Sequence, residues 1–201
     1  MTYSYLAIGD SYTIGELVPL YESFPYQTLQ ILRSKFSITD HFISPEIIAK
    51  TGWTTDELDQ QLSKTILLPK YDIVSLLIGV NNQYRGRSVE NYKSEFEKLL
   101  LDAIRFAGNN NRVFVISIPD WGVTPFAEGK DRALIANEID EYNEACKLIT
   151  EIHRCNYIDI TASQREDGNK IDFLAADGLH PSGKEYAKWA EKLADQILLS
   201  I

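Results

Sequence analysis

Residues 5–16 read YLAIGDSYTIGE, and the fold follows from how the first four are taken. Tyr5, Leu6, Ala7 and Ile8 form an apolar run with no polar alternation and no helical spacing. A short unbroken run that stops at a Gly-Asp turn suits a strand covered on both faces, the kind found in parallel sheets. Runs of the same type recur at residues 3–8, 42–49, 73–78, 113–118 and 157–160. Five buried strands are therefore expected.

Helical spacing lies between and after these runs. Val89, Tyr92, Phe96, Leu99, Ala103 and Phe106 fall on one stripe, as do Tyr186, Ala190, Leu193 and Ile197. Parallel neighbours need crossover connections, so this alternation predicts an α/β fold in three layers, a five-stranded parallel sheet with helices on both sides. Thr54 and Glu57 form a T-x-x-E capping box, Ser88 is placed to cap the next helix, and Pro181 fits a first helical position. Ligands of open parallel sheets bind at the carboxyl ends of the strands. The segments GDSY, KTGW, GVNNQYRG and IPDWGVTPF are expected to gather there.

Length and charge narrow the classes. At 201 residues the chain is expected to be one domain spanning 1–201. A formal charge of −9 and no Lys/Arg run argue against nucleic acid as a partner. The N-terminus MTYSYLAIGDSY has no basic leader, and its apolar stretch is too short for a signal peptide or a membrane span, which points to a cytoplasmic protein with no integral membrane segment. Cys146 and Cys155 lack ligand spacing and are expected to be buried thiols.

Ser11 follows the first strand directly, so its hydroxyl should emerge at the strand's carboxyl end. A serine becomes nucleophilic only beside a positioned base that a third group orients. His41 precedes a strand and His153 closes a helix; only His180, in DGLHP, stands in a loop with a carboxylate, Asp177, three residues earlier. Gly52, just before a capped helix, could offer a backbone N–H at the helix's positive end, and Asn81 a side-chain amide. Each feature also has a plain structural reading: a turn before a helix for DGLHP, a positive-φ turn for Gly52, and a loop-closing hydrogen bond for Asn81 or Asn82.

Taken in order, IGDSYTIGE, Gly52 in AKTGWTTDEL, LLIGVNN with Gly79 and Asn81, and DGLHPSGKEYAKWA resemble the SGNH (GDSL) hydrolase superfamily of esterases and lipases. The resemblance implies a flavodoxin-like fold, Ser11 as nucleophile, His180 as general base and Asp177 as its orienting partner. It further implies an oxyanion hole from the N–H groups of Ser11 and Gly52 and the Asn81 side chain, a structural Asp10, and neither metal nor organic cofactor. Two positions depart from the family pattern. Gly-Asp-Ser-Leu reads Gly-Asp-Ser-Tyr, and Gly-x-Asn-Asp reads Gly-Val-Asn-Asn, with Asn82 at the acidic position. The G-x-S-x-G elbow of larger α/β-hydrolases does not occur.

The expected partner is a small-molecule ester, with simple acyl esters, acetylated sugars, lysophospholipids and thioesters as candidates. Asn82, Tyr84, Arg85, Trp121 and Phe126 are candidate substrate-binding residues. Trp121, Pro125 and Phe126 could wall an acyl or leaving-group pocket, while Tyr84, Arg85 and Arg87 could meet an anionic group. Two alternatives remain from other classes. An Mg²⁺-dependent phosphatase could attack through Asp10, although Tyr12 occupies the position where a second carboxylate is wanted. A non-enzymatic flavodoxin-like module would want clustered acids or G-x-G-x-x-G, and GDSYTIGE supplies neither.

Overall fold

The computed structural model of the chain describes residues 1–200. Its strands are β1 (Thr2–Tyr3), β2 (Tyr5–Gly9), β3 (His41–Phe42), β4 (Glu46–Ala49), β5 (Ile73–Leu77), β6 (Val113–Ile116) and β7 (Asn156–Ile158). The helices are α1 (Ser11–Ile14), α2 (Phe24–Lys35), α3 (Thr55–Leu62), α4 (Val80–Tyr84), α5 (Val89–Ala107), α6 (Arg132–Ile152), α7 (Thr161–Asp167) and α8 (Gly183–Leu198). The main sheet is five-stranded and wholly parallel, in the order β4-β2-β5-β6-β7. Every residue of β2, β5 and β6 is buried, as unbroken apolar runs require of strands covered on both faces.

The chain steps from β2 outward to β4, then returns past β2 to β5 and continues to β7. With crossovers of one hand, that reversal sends helices to opposite faces. Accordingly α2 packs on α8, while α5 packs on α3 and α6. The reversal also opens a crevice between the carboxyl ends of β2 and β5, the place where flavodoxin-like sheets bind ligands. Ser11 follows β2 and Asn81 follows β5, so both stand at its lip.

Two of the expected strands are interrupted. In residues 3–8 the break falls at Ser4, whose N–H and hydroxyl both donate to Asp72 at 2.9 Å, turning the chain out of the ladder. In residues 42–49 it falls at buried Pro45, which has no N–H to donate. The detached ends, β1 and β3, pair as a small parallel sheet in which Tyr3 stacks on Phe42. The run at 157–160 stops at Ile158, because Asp159 instead accepts the N–H of Thr161 and opens α7.

The cap expectations divide in the same way. Glu57 accepts the Thr54 N–H at 3.0 Å and Ser88 accepts the Asn91 N–H at 3.2 Å, so both expected helix starts stand. Pro181, by contrast, is not helical, and α8 starts two residues later behind Ser182. Pro181 bridges Leu174 in an antiparallel pair, flanked by Ala175 N–H to His180 O at 2.8 Å and Ser182 N–H to Phe173 O at 2.9 Å. This narrow loop, closed on itself, presents His180 to the sheet edge.

Candidate active site

Gly9 ends β2 because nothing larger fits: a Cβ there would lie 2.1 Å from Thr13 Oγ1 and 2.3 Å from the Leu77 carbonyl oxygen. The close approach lets the chain fold at once into α1. Asp10 caps that helix, its Oδ1 accepting the Tyr12 N–H at 3.0 Å. Ser11 follows, at the crevice. Asp10 is wholly buried and does not line the cleft, so it is not placed to attack a substrate as the phosphatase alternative requires.

The opposite wall is the DGLHP loop. Gly178, at φ +66°, lets the loop double back. Asp177 Oδ1 then accepts the N–H groups of Leu179 at 3.1 Å and His180 at 3.0 Å, while Oδ2 lies 2.6 Å from His180 Nδ1. A carboxylate can only accept, so Nδ1 carries the proton and Nε2 is left with its lone pair. That nitrogen lies 2.9 Å from Ser11 Oγ, across 169 residues of sequence. Burial pushes the Asp177 carboxyl up, but the His180 ring and the two N–H donors outweigh it and hold the carboxyl below its ordinary range. Asp177 therefore stays ionised wherever the imidazole needs orienting.

The other two histidines lie elsewhere. His41 is exposed on β3, and His153 ends α6 against Glu97 at 2.8 Å. The cysteines are free, Cys146 buried and Cys155 half-buried. Burial pushes the Cys146 thiol up to about 12 and the Cys155 thiol up to about 11, so neither is a nucleophile near neutral pH.

Two loops face Ser11 from the far side of the crevice. Gly52, at φ +83°, precedes α3, and Arg85 Nη2 holds its carbonyl at 2.6 Å. Among the described residues, the N–H groups of Ser11 and Gly52 have no protein partner. Asn81 also lines the cleft; its Nδ2 donates to the Trp53 carbonyl at 3.0 Å and, at 3.4 Å, to Asp10 Oδ2. Asn82 and Arg85 do not line the cleft as expected. Asn82 is wholly buried against Thr55, while Arg85 lies outside it, bound to the Gly52 carbonyl and 3.4 Å from Glu57. Arg87 likewise is spent on Asp56 at 2.6 Å.

Tyr84, Trp121 and Phe126 do line the cleft, as one aromatic cluster with ring centroids 5.3 to 6.3 Å apart. Trp121 is fixed by its indole N–H, which donates to Gln83 Oε1 at 2.7 Å, and Gln83 in turn donates to Glu138 at 2.7 Å. Tyr12, Val80 and Leu179 complete the apolar lining, around a cavity of about 170 Å³. Tyr12, at the position that departs from Gly-Asp-Ser-Leu, sets its ring 5.2 Å from that of His180. Gln83 does not stand out in the sequence, since it acts through contacts distant along the chain, and Tyr12 stands out there only as a departure from the expected patterns.

Burial pushes the Asp10 carboxyl up to about 7, against the pull of the Tyr12 N–H and the Asn81 amide. A group raised in this way binds its proton more tightly folded than unfolded, so its contribution is greatest below about pH 4 and is lost as pH rises through about 7. Asp10→Asn removes that titration. Relative to the wild type, the variant should therefore gain stability between pH 4 and pH 8, by up to about 4 kcal/mol at 1.36 kcal/mol per pH unit. Urea unfolding of both proteins across that range measures it; a difference that does not change with pH would contradict the burial assigned to Asp10.

Comparison with known proteins follows the same outline. The family described as GDSL-like lipase/acylhydrolase matches residues 7–188. No curated protein matches the chain by sequence. Among solved structures, a lipase/acylhydrolase from Enterococcus faecalis superposes at TM-score 0.73 with 20% identity, covering 96% of this chain and 95% of that one. The lipase Lip_vut3 from a goat rumen metagenome gives 0.77 and 19%, covering 96% and 97%. Axe2, an acetylxylan esterase from Geobacillus stearothermophilus, gives 0.73 and 18%, covering 97% and 94%. At these identities the three structures bear on the fold.

Proposed function

The chain belongs to the GDSL-like lipase/acylhydrolase family and is a carboxylic ester hydrolase of that type; from that premise we propose that it cleaves short-chain acyl esters through Ser11, His180 and Asp177. The observation that carries the reading is the unbroken line from Asp177 Oδ2 through the imidazole to Ser11 Oγ, with steps of 2.6 and 2.9 Å. Ser11 Oγ attacks the ester carbonyl carbon as its proton passes to His180 Nε2, leaving a tetrahedral oxyanion and an imidazolium that Asp177 stabilises. The N–H groups of Ser11 and Gly52 receive that oxygen. Asn81 joins them by giving up its longer contact, the one at 3.4 Å to Asp10. As the carbonyl re-forms, the bond to the alkoxy oxygen breaks and His180 returns the proton to the departing alcohol. Water then repeats the sequence on the acyl-serine, releasing the carboxylic acid and restoring Ser11.

Size supports a short acyl group. The cleft, about 170 Å³ and open to solvent on one side, is walled by Tyr84, Trp121 and Phe126. These rings narrow the space beside Ser11 and favour a small acyl group such as acetyl or propionyl. The acetyl group in the name of Axe2 agrees with this size. Rates on p-nitrophenyl acetate, butyrate and octanoate test it. The expected kcat/KM for acetate or butyrate exceeds that for octanoate by about tenfold or more, the lower end of what a hydrophobic pocket gives against a surplus methylene, and Phe126→Ala, trimming a half-exposed ring of the wall, should narrow that ratio. Preference for octanoate in the wild type would overturn the short-chain reading.

A further inference from the structure

Asn82 follows the proposed oxyanion donor Asn81 but turns the other way, into the protein. Its Oδ1 accepts the Thr55 N–H at 3.1 Å, and its Nδ2 donates to Thr55 Oγ1 at 2.6 Å. The Thr55 hydroxyl spends its own proton on Glu95 Oε2, which projects from α5. Glu95 Oε1 accepts from Asn91 Nδ2 at 3.0 Å, and Arg87 lies 3.7 Å from Oε2. The direction of every hydrogen bond is set from the charged end. A carboxylate only accepts, so Thr55 must donate to it; Thr55 Oγ1 must then accept from residue 82, which has to offer an N–H there and an oxygen to the Thr55 amide. Only an amide side chain meets both demands.

We propose that Asn82, Thr55 and Glu95 form a positioning relay that sets the spacing of the oxyanion hole. The hole draws on two loops, one carrying Gly52 and the other Asn81. Three side chains clamp those loops together: Asn81 holds the Trp53 carbonyl at 3.0 Å, Arg85 the Gly52 carbonyl at 2.6 Å, and Asn82 the Thr55 N–H and hydroxyl. Thr55 is the first residue of α3, three residues beyond Gly52. Holding Thr55 therefore holds the backbone from which the Gly52 N–H projects. The relay also gives a physical reason for Asn where the family pattern has Asp. A carboxylate at this position would be set against a hydroxyl whose single proton already belongs to Glu95, and buried carboxylates sharing one proton repel. The inference rests on the oxyanion roles proposed for Gly52 and Asn81.

Three variants test it: Asn82→Asp, Glu95→Gln and the pair together. Asn82→Asp should lower kcat on p-nitrophenyl acetate by roughly 10- to 100-fold, the scale of a displaced catalytic group, with KM changed less than about threefold because ground-state binding is spared. Glu95→Gln alone should stay within about threefold of wild type, since the oxygen of the new amide still accepts from Thr55. In the pair the polarity runs backwards: the amide introduced on α5 donates to the Thr55 hydroxyl, and that hydroxyl donates to the carboxylate introduced on α4. There kcat should return to within about threefold. A folded Asn82→Asp with wild-type kcat, or a folded pair with no recovery, overturns the relay. So does recovery of thermal midpoint without recovery of kcat, the mark of a purely structural contact. Should Asn82→Asp fail to fold, Thr55→Val takes its place, keeping the N–H and removing the hydroxyl; about a tenfold loss in kcat is expected and an unchanged kcat overturns the proposal. Failure of the esterase reading looks different: a wild type that neither hydrolyses esters nor takes a fluorophosphonate at Ser11.

Discussion

Ser11→Ala should lower kcat/KM on p-nitrophenyl acetate by roughly 10⁴- to 10⁶-fold, the range seen when the nucleophile of a Ser-His-Asp triad is removed. The fold should hardly notice. The Ser11 hydroxyl has one partner, His180, and losing one such hydrogen bond costs about 1 kcal/mol. Loss of activity at nearly constant thermal midpoint is thus the expected pair of results. Retention of activity within tenfold would move the nucleophile elsewhere. Asp10 is a poor candidate for that role, being wholly buried with both carboxylate oxygens turned to Tyr12 and Asn81.

Asp177→Asn is expected to be almost as damaging, for a different reason. The Asp177 carboxylate accepts three N–H groups, two from the backbone and one from the imidazole. An amide can keep the two backbone bonds with its oxygen, so the loop should hold its shape. Its NH₂ then faces His180 Nδ1 and can only donate. The ring answers by moving its proton to Nε2, where it points at Ser11 Oγ and cannot take the serine's proton. The same exchange in a serine protease triad costs about 10⁴ in kcat, and a similar loss is expected here with KM little changed. A loss under tenfold would show that Asp177 shapes the loop without controlling the tautomer. Asp177 is held below the ordinary carboxylate range, so it should stay ionised near neutral pH and add no step of its own to the wild-type pH profile there.

What the sequence makes legible is what depends on near neighbours. Buried strands announce themselves as apolar runs, and β2, β5 and β6 lie in the runs read at 3–8, 73–78 and 113–118, β2 extending one residue further to Gly9. The Asp177–His180 contact spans three residues of a tight turn, so DGLHP displays it directly. The breaks at Ser4 and Pro45 are harder to read. Ser4 leaves the ladder because Asp72, 68 residues away, offers it a better acceptor. Pro181 has the chemistry of a first helical position, yet Leu174 claims it for a bridge.

The supporting residues show the same limit more sharply. Asn82 and Arg85 sit beside the site in sequence and look like substrate ligands. Their partners, Thr55 and Gly52, lie 27 and 33 residues away, and those contacts turn Asn82 inward and draw Arg85 aside. Gln83 escapes notice altogether, because its purpose is to hold Trp121, 38 residues on. The reacting groups sit in short motifs with local geometry. The groups that hold them are fixed only once the sheet has brought remote loops together.

The most direct test of the account is the site at which an active-site-directed phosphonate becomes attached. Incubated with a fluorophosphonate and digested, the wild-type protein should yield one modified peptide bearing a single adduct on Ser11. Labelling should be lost in Ser11→Ala and slowed by orders of magnitude in Asp177→Asn. An adduct on any other residue, or an unlabelled wild type that still hydrolyses p-nitrophenyl acetate, would contradict it.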